Sequence, residues 1–90
     1  MRVYSIFSHS EDRVIKFFDG NDKKAILSTL KAHLLENKAD TLELCKEYAP
    51  GNYKRYLGTE ILNHYKVNPK NNLPSLFYYK NGKGYFKTLK

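Results

Sequence analysis

The chain has no tryptophan, one methionine, one cysteine and three prolines in 90 residues. With Cys45 alone, no intramolecular disulfide can form, which fits a reducing compartment and a cytoplasmic protein. The first twenty residues contain no long apolar run and carry Glu11, Asp12 and Asp19. That argues against a signal peptide and against a membrane span. There is no glycine-rich phosphate loop, because the five glycines are isolated. His9, His33 and His64 lie far apart, none at ligand spacing with another histidine, cysteine or acid, so neither a metal nor a cofactor is expected. No repeat, linker or low-complexity tract interrupts the chain, and residues 1–90 read as a single domain. A domain this short has a thin stability margin, which a homodimer would widen.

The most informative scarcity is of acid. Residues 1–50 hold eight Lys/Arg against eight Asp/Glu, whereas residues 51–90 hold eight Lys/Arg against Glu60 alone. All of the net charge of +7 therefore sits in the last forty residues. Six of the eight tyrosines lie there too, with Phe77 and Phe86. A basic, aromatic half joined to a neutral half is the composition of a surface that meets a polyanion, above all nucleic acid. Thirteen of the sixteen basic residues are lysine. Lysine neutralises phosphate as a point charge, while arginine favours bidentate base reading, so the balance points to contact with backbone and shape. Lys, Asn, Tyr, Phe and Ile, all with AT-rich codons, make up 38 of the 90 residues, which is consistent with a phage or mobile-element source.

Periodicity predicts the elements. Arg2–His9 and Arg13–Phe18 are rich in β-branched and aromatic residues and form an N-terminal hairpin; a helix capped by Ser10 is the alternative for the second segment. A helix spans Lys23–Glu36, with Ile26, Leu27, Leu30 and Leu34 as its buried stripe. Asp40-x-x-Glu43 resembles a capping box and opens a short helix over Thr41–Ala49. Tyr53, Leu57, Ile61 and Tyr65 recur at every fourth position and place a third helix within Tyr53–Lys66. Asn81-Gly82 between Leu76–Lys80 and Lys83–Leu89 is a two-residue hairpin turn. The expected fold is α+β: an antiparallel sheet of about four strands from two hairpins, with two or three helices on one face. Its core draws on Ile6, Ile15, Ile26, Leu30, Leu34, Leu57, Ile61, Phe77 and Phe86.

The two-residue turn sets the register of the last hairpin. Lys80 pairs with Lys83, Tyr79 with Gly84, Tyr78 with Tyr85, Phe77 with Phe86 and Leu76 with Lys87. One face then holds Phe77, Tyr79, Gly84 and Phe86 and is expected toward the core. The other is a wet strip of Tyr78 and Tyr85 ringed by Lys80, Lys83 and Lys87. Aromatic rings stack on unpaired bases and ammonium groups track phosphates, so the strip suits single-stranded nucleic acid. Lys54, Arg55, Lys66 and Lys70 form a second basic cluster with Tyr53 and Tyr56 among them; on the third helix Lys54 and Arg55 lie off the apolar stripe and extend the positive surface, the plainer reading being a solvated helix face. The plainer reading of the strip is a stabilising tyrosine pair with lysines guarding a sheet edge.

Leu73-Pro74-Ser75-Leu76-Phe77-Tyr78-Tyr79-Lys80-Asn81-Gly82, preceded by Ile61–Val67, resembles the end of a thioredoxin fold. There a helix leads into a cis-proline, an apolar strand and a Lys-Asn-Gly hairpin. Ser8-His9-Ser10 stands where the redox Cys-x-x-Cys would be, so the resemblance implies no redox activity. Size and charge are similar to RelE-type ribosome-dependent toxins, small basic endoribonucleases.

The expected function is a non-enzymatic, RNA-preferring nucleic-acid-binding protein, an accessory or inhibitory factor. The competing readings are an inhibitor docking on an acidic host protein and a metal-independent endoribonuclease toxin. The latter would draw acid, base and cation from His9, His64, Glu60, Tyr85 and Arg55.

Overall fold

The computed structural model describes residues 3–47 and 59–89. Within them the order is β1 (Val3–Ser8), β2 (Arg13–Asp19), α1 (Lys23–Glu36), β3 (Thr41–Glu47), β4 (Thr59–Asn68), β5 (Leu73–Lys80) and β6 (Lys83–Thr88). The strands form one sheet in the order β2-β1-β3-β4-β5-β6, every neighbouring pair antiparallel. Strands β2 and β3 flank β1 and run parallel to each other, so α1 is the crossover between them. This overturns the expectation of about four strands under two or three helices: the described residues form six strands and a single helix.

The helix forms as its sequence dictates. The Asp22 carboxylate accepts a hydrogen bond from the Ala25 N–H at 3.2 Å and caps the first turn. Ile26, Leu30 and Leu34 recur at helical spacing and are the buried stripe. They pack on Ile6, Phe18, Leu42, Leu44, Tyr65 and Val67, which share one face of the sheet. Burial pushes the Tyr65 phenol above its ordinary pKa.

The described parts of two expected helices, 41–47 and 59–66, are strands, each for an identifiable reason, while Ala49 lies outside the described residues. Thr41–Glu47 is buried on both faces, with Leu42 and Leu44 toward α1 and Glu43 and Cys45 on the other side. Thr41–Leu44 alternates polar and apolar residues, but Cys45 follows Leu44 on the opposite, equally buried face, so the helical spacing of Leu42 and Cys45 is a coincidence of burial on both faces. In β4 the misleading signal was a spacing of four, which is two strand periods as well as nearly one helical turn. Tyr53 and Leu57, which belonged to that expected helix, lie outside the described residues. A β-bulge also intervenes: Asn63 pairs with Leu44 and Ile61 with Cys45, leaving Leu62 over. Ile61 and Tyr65 therefore point to opposite faces.

The core is corrected accordingly. Ile6, Ile26, Leu30 and Leu34 are buried as expected, and Ile15 is partly buried. Ile61 is exposed, Leu57 lies outside the described residues, and Phe77 and Phe86 are half-buried on the face away from α1. It is Leu76, on the tyrosine side of the last hairpin, that packs against the core. The thioredoxin-like ending is not realised either. Ile61–Val67 lies within a strand, and no peptide bond is cis among the described residues. No helix among the described residues is long and apolar enough to cross a membrane.

Candidate functional site

The last hairpin has the register its turn demands. Asn81 and Gly82 take positive φ of 52° and 78°, and Lys80–Lys83, Tyr78–Tyr85 and Leu76–Lys87 face each other. The Tyr78 and Tyr85 rings stack with centroids 5.7 Å apart and an interplanar angle of 23°. They are 41% and 42% exposed, with Lys80, Lys83 and Lys87 exposed around them. Five of the eight residues expected to meet nucleic acid therefore form one strip, on the same side of the sheet as α1 but outside the core. Lys66 lies on the opposite side, its Nζ 3.9 Å from the centre of the Phe77 ring. Lys54 and Arg55 lie outside the described residues.

The strip borders a cleft that sequence reasoning missed. Strands β4 and β5 pair from Asn68–Leu73 up to His64–Phe77 and no further. Beyond that point β4 continues against β3, and β5 against β6. Between the diverging segments is a cleft of about 400 Å³, lined by Leu62, Asn63, His64, Lys66, Phe77, Tyr78 and Tyr79, with Thr41. Tyr78 and Tyr79 are consecutive in a strand, so their side chains leave it toward opposite faces. Both residues line the cleft. Tyr79 is 72% exposed, and its ring meets Phe77 edge-on at 4.8 Å.

On the face away from α1, a row crosses five strands: Phe7, Glu43, His64, Phe77 and Phe86 are successive Cα partners. Glu43 is only 2% exposed. His9, in the β1–β2 turn, places Nε2 2.7 Å from Glu43 Oε1. One donor atom from each of His9, Glu43 and His64 lies within 4.8 Å of the others. Linear spacing concealed this group, because its members come from a turn and two strands. A β4–β5 hairpin around Asn68–Asn72 would have put His64 opposite Phe77, but only the β3–β4 register brings it to Glu43.

Ser8-His9-Ser10 is divided between two groups. While His9 turns to Glu43, Ser8 Oγ donates to Asp40 Oδ2 at 2.6 Å and the Ser10 N–H to Oδ1 at 2.8 Å. His33 Nε2 also reaches Oδ2, at 2.7 Å, and the Thr41 N–H reaches Oδ1, at 2.7 Å. Asp40 was expected to cap a helix; it instead ties the β1–β2 turn, the end of α1 and the start of β3 together. Burial alone would raise its pKa. The opposing hydrogen bonds of Ser8, the Ser10 backbone, His33 and the Ser10 hydroxyl outweigh burial and hold it at about 2. Ser8, His33 and Asp40 are the residue types of a nucleophilic triad, but Ser8 is fully buried and bonds the carboxylate directly. The arrangement cannot present a serine to substrate.

The residues considered for metal-free RNA cleavage separate. His9 and His64 meet at Glu43, but Glu60 and Tyr85 register with the side of the sheet that carries α1. Arg55 lies outside the described residues. Cys45 is buried in β3, as a small apolar residue would be. No family model, curated protein or solved structure matches this chain.

Proposed function

We propose that this protein binds single-stranded nucleic acid, RNA in preference, through the β4–β5 cleft and the adjoining tyrosine strip. The observation that carries this reading is the continuity of aromatic and cationic groups. Phe77, Tyr78 and Tyr79 line a cleft large enough for an unstacked base, and Lys66 enters it. The Tyr78–Tyr85 stack with Lys80, Lys83 and Lys87 lies alongside. An unpaired strand presents base faces to such rings and phosphates to such amines. A duplex has no free base to insert between β4 and β5. The strip alone is equally suited to stabilising a hairpin; the cleft supplies what a merely structural tyrosine pair would not need.

The test is an anisotropy titration of labelled single-stranded RNA, single-stranded DNA and duplex RNA at several salt concentrations. Four lysines, each contributing about −0.7 for a single strand, give a log–log salt slope near −3. Replacing both Tyr78 and Tyr85 with alanine is expected to weaken binding roughly tenfold or more, at about 1–3 kcal/mol per stacked base. A salt-independent affinity, or one unaffected by the double replacement and by Tyr79→Ala, eliminates the reading. A partner retained from nuclease-treated lysate together with no RNA affinity would favour the acidic host protein instead.

A further inference from the structure

We infer that His9, Glu43 and His64 form a binding site for a divalent transition-metal ion, with Zn²⁺ the best fit. The three donors come from separate segments that the sheet register brings together. Glu43 and His64 are Cα partners across β3–β4, and His9 comes from the β1–β2 turn. The turn is anchored by the His9 N–H donating to the Thr41 carbonyl at 3.1 Å, and the His9 ring meets Phe7 edge-on at 5.7 Å. The donor atoms lie within 4.8 Å of one another. A tetrahedral zinc ion with bonds of about 2.0–2.1 Å needs its donors roughly 3.4 Å apart. His9 Nε2 and Glu43 Oε1 are already closer than that, at 2.7 Å. The remaining contraction falls on His9 and His64, which are exposed and can turn about their side-chain torsions.

The donor chemistry selects the ion. Two imidazoles and one carboxylate suit zinc or its transition-metal neighbours, whereas magnesium and calcium prefer oxygen alone. Three protein donors leave a fourth position open, as in zinc sites that bind a further ligand. The second such cluster, Glu11, His33 and Asp40, is a poorer host, because Asp40 already accepts hydrogen bonds from Ser8 Oγ and from the Ser10 and Thr41 N–H groups, none of which belongs to the cluster.

This inference is independent of the nucleic-acid reading and is tested with Zn²⁺ alone. The full chain, freed of metal by chelator, is titrated with Zn²⁺ while histidine ring C–H resonances are recorded by NMR. A competing chromogenic chelator supplies the affinity. One equivalent is expected to perturb His9 and His64 and to leave His33 in place. His9→Ala and His64→Ala should each weaken binding roughly tenfold or more, and His33→Ala should not. Both replaced rings are exposed, so the variants are expected to fold, with far-UV circular dichroism as the check. Glu43→Gln should weaken binding in the same way, but its burial makes it the supporting variant. Binding no tighter in the wild type than in the His9/His64 double variant overturns the assignment, as does a Zn²⁺ response confined to His33.

Discussion

The two ends of the sheet use polar side chains in opposite ways. At the β1–β3 end, Asp40 is sealed from solvent and its oxygens are filled by Ser8, Ser10, Thr41 and His33. At the β4–β6 end, two strands part, tyrosines stand half in water, and lysines are exposed beside them. Around Asp40 the polar groups are engaged in internal connections. The β4–β6 end leaves aromatic and cationic groups available at an opening in the sheet. The Ser8, His33 and Asp40 grouping is architectural, while the tyrosines and lysines of the last hairpin stand exposed to solvent.

The largest effect is expected in the core under α1, the reference against which the open end is measured. Leu30 is fully buried, and Leu30→Ala is expected to cost about 2–5 kcal/mol. The equivalent truncation at the open end, Tyr79→Ala, should change stability by less than about 0.5 kcal/mol. Urea denaturation followed by circular dichroism measures both. Similar losses at the two sites would show that the open end is part of the packed structure.

The next largest effect tests Asp40. Its folded pKa of about 2 lies below the ordinary 3.8, so the ionised form is stabilised by folding. That contribution, about 2 kcal/mol, is fully present above pH 3.8 and is lost as pH falls through about 2. Asp40→Asn should lower stability near neutral pH and flatten the acid limb of the stability curve. An unchanged acid limb in the variant would place the proton uptake elsewhere.

The smallest effect sharpens the description of the hairpin. Gly82 has φ of +78° with open space around the position of a Cβ, so Gly82→Ala meets backbone strain and no clash. About 1 kcal/mol of destabilisation is expected. A loss several times larger in thermal unfolding would mean that the turn makes contacts beyond its own backbone.

Much of the local structure was legible in the chain. The Ile26, Leu30 and Leu34 stripe identifies α1. Asn81-Gly82 specifies the register that opposes Tyr78 to Tyr85. The reading failed at β3 and β4 because both faces of β3 are buried and because a four-residue spacing satisfies helix and strand alike. It also assigned Phe77 and Phe86 to the core, since alternation divides a strand into two faces without saying which one meets the helix. The Leu62 bulge added a change of face within β4 that no periodicity announces.

The sequence alone carries the charge division, the amphipathic helix α1, and the pairing of Tyr78 with Tyr85 among lysines. These depend on composition or on contacts between near neighbours, for which turn chemistry and helical spacing suffice. Only the tertiary structure decided that β4 and β5 part beyond His64 and Phe77, and that His9, Glu43 and His64 converge. Those outcomes depend on the order and register of strands distant in the chain. Register is chosen by how all the buried faces fit together, so no single segment contains it.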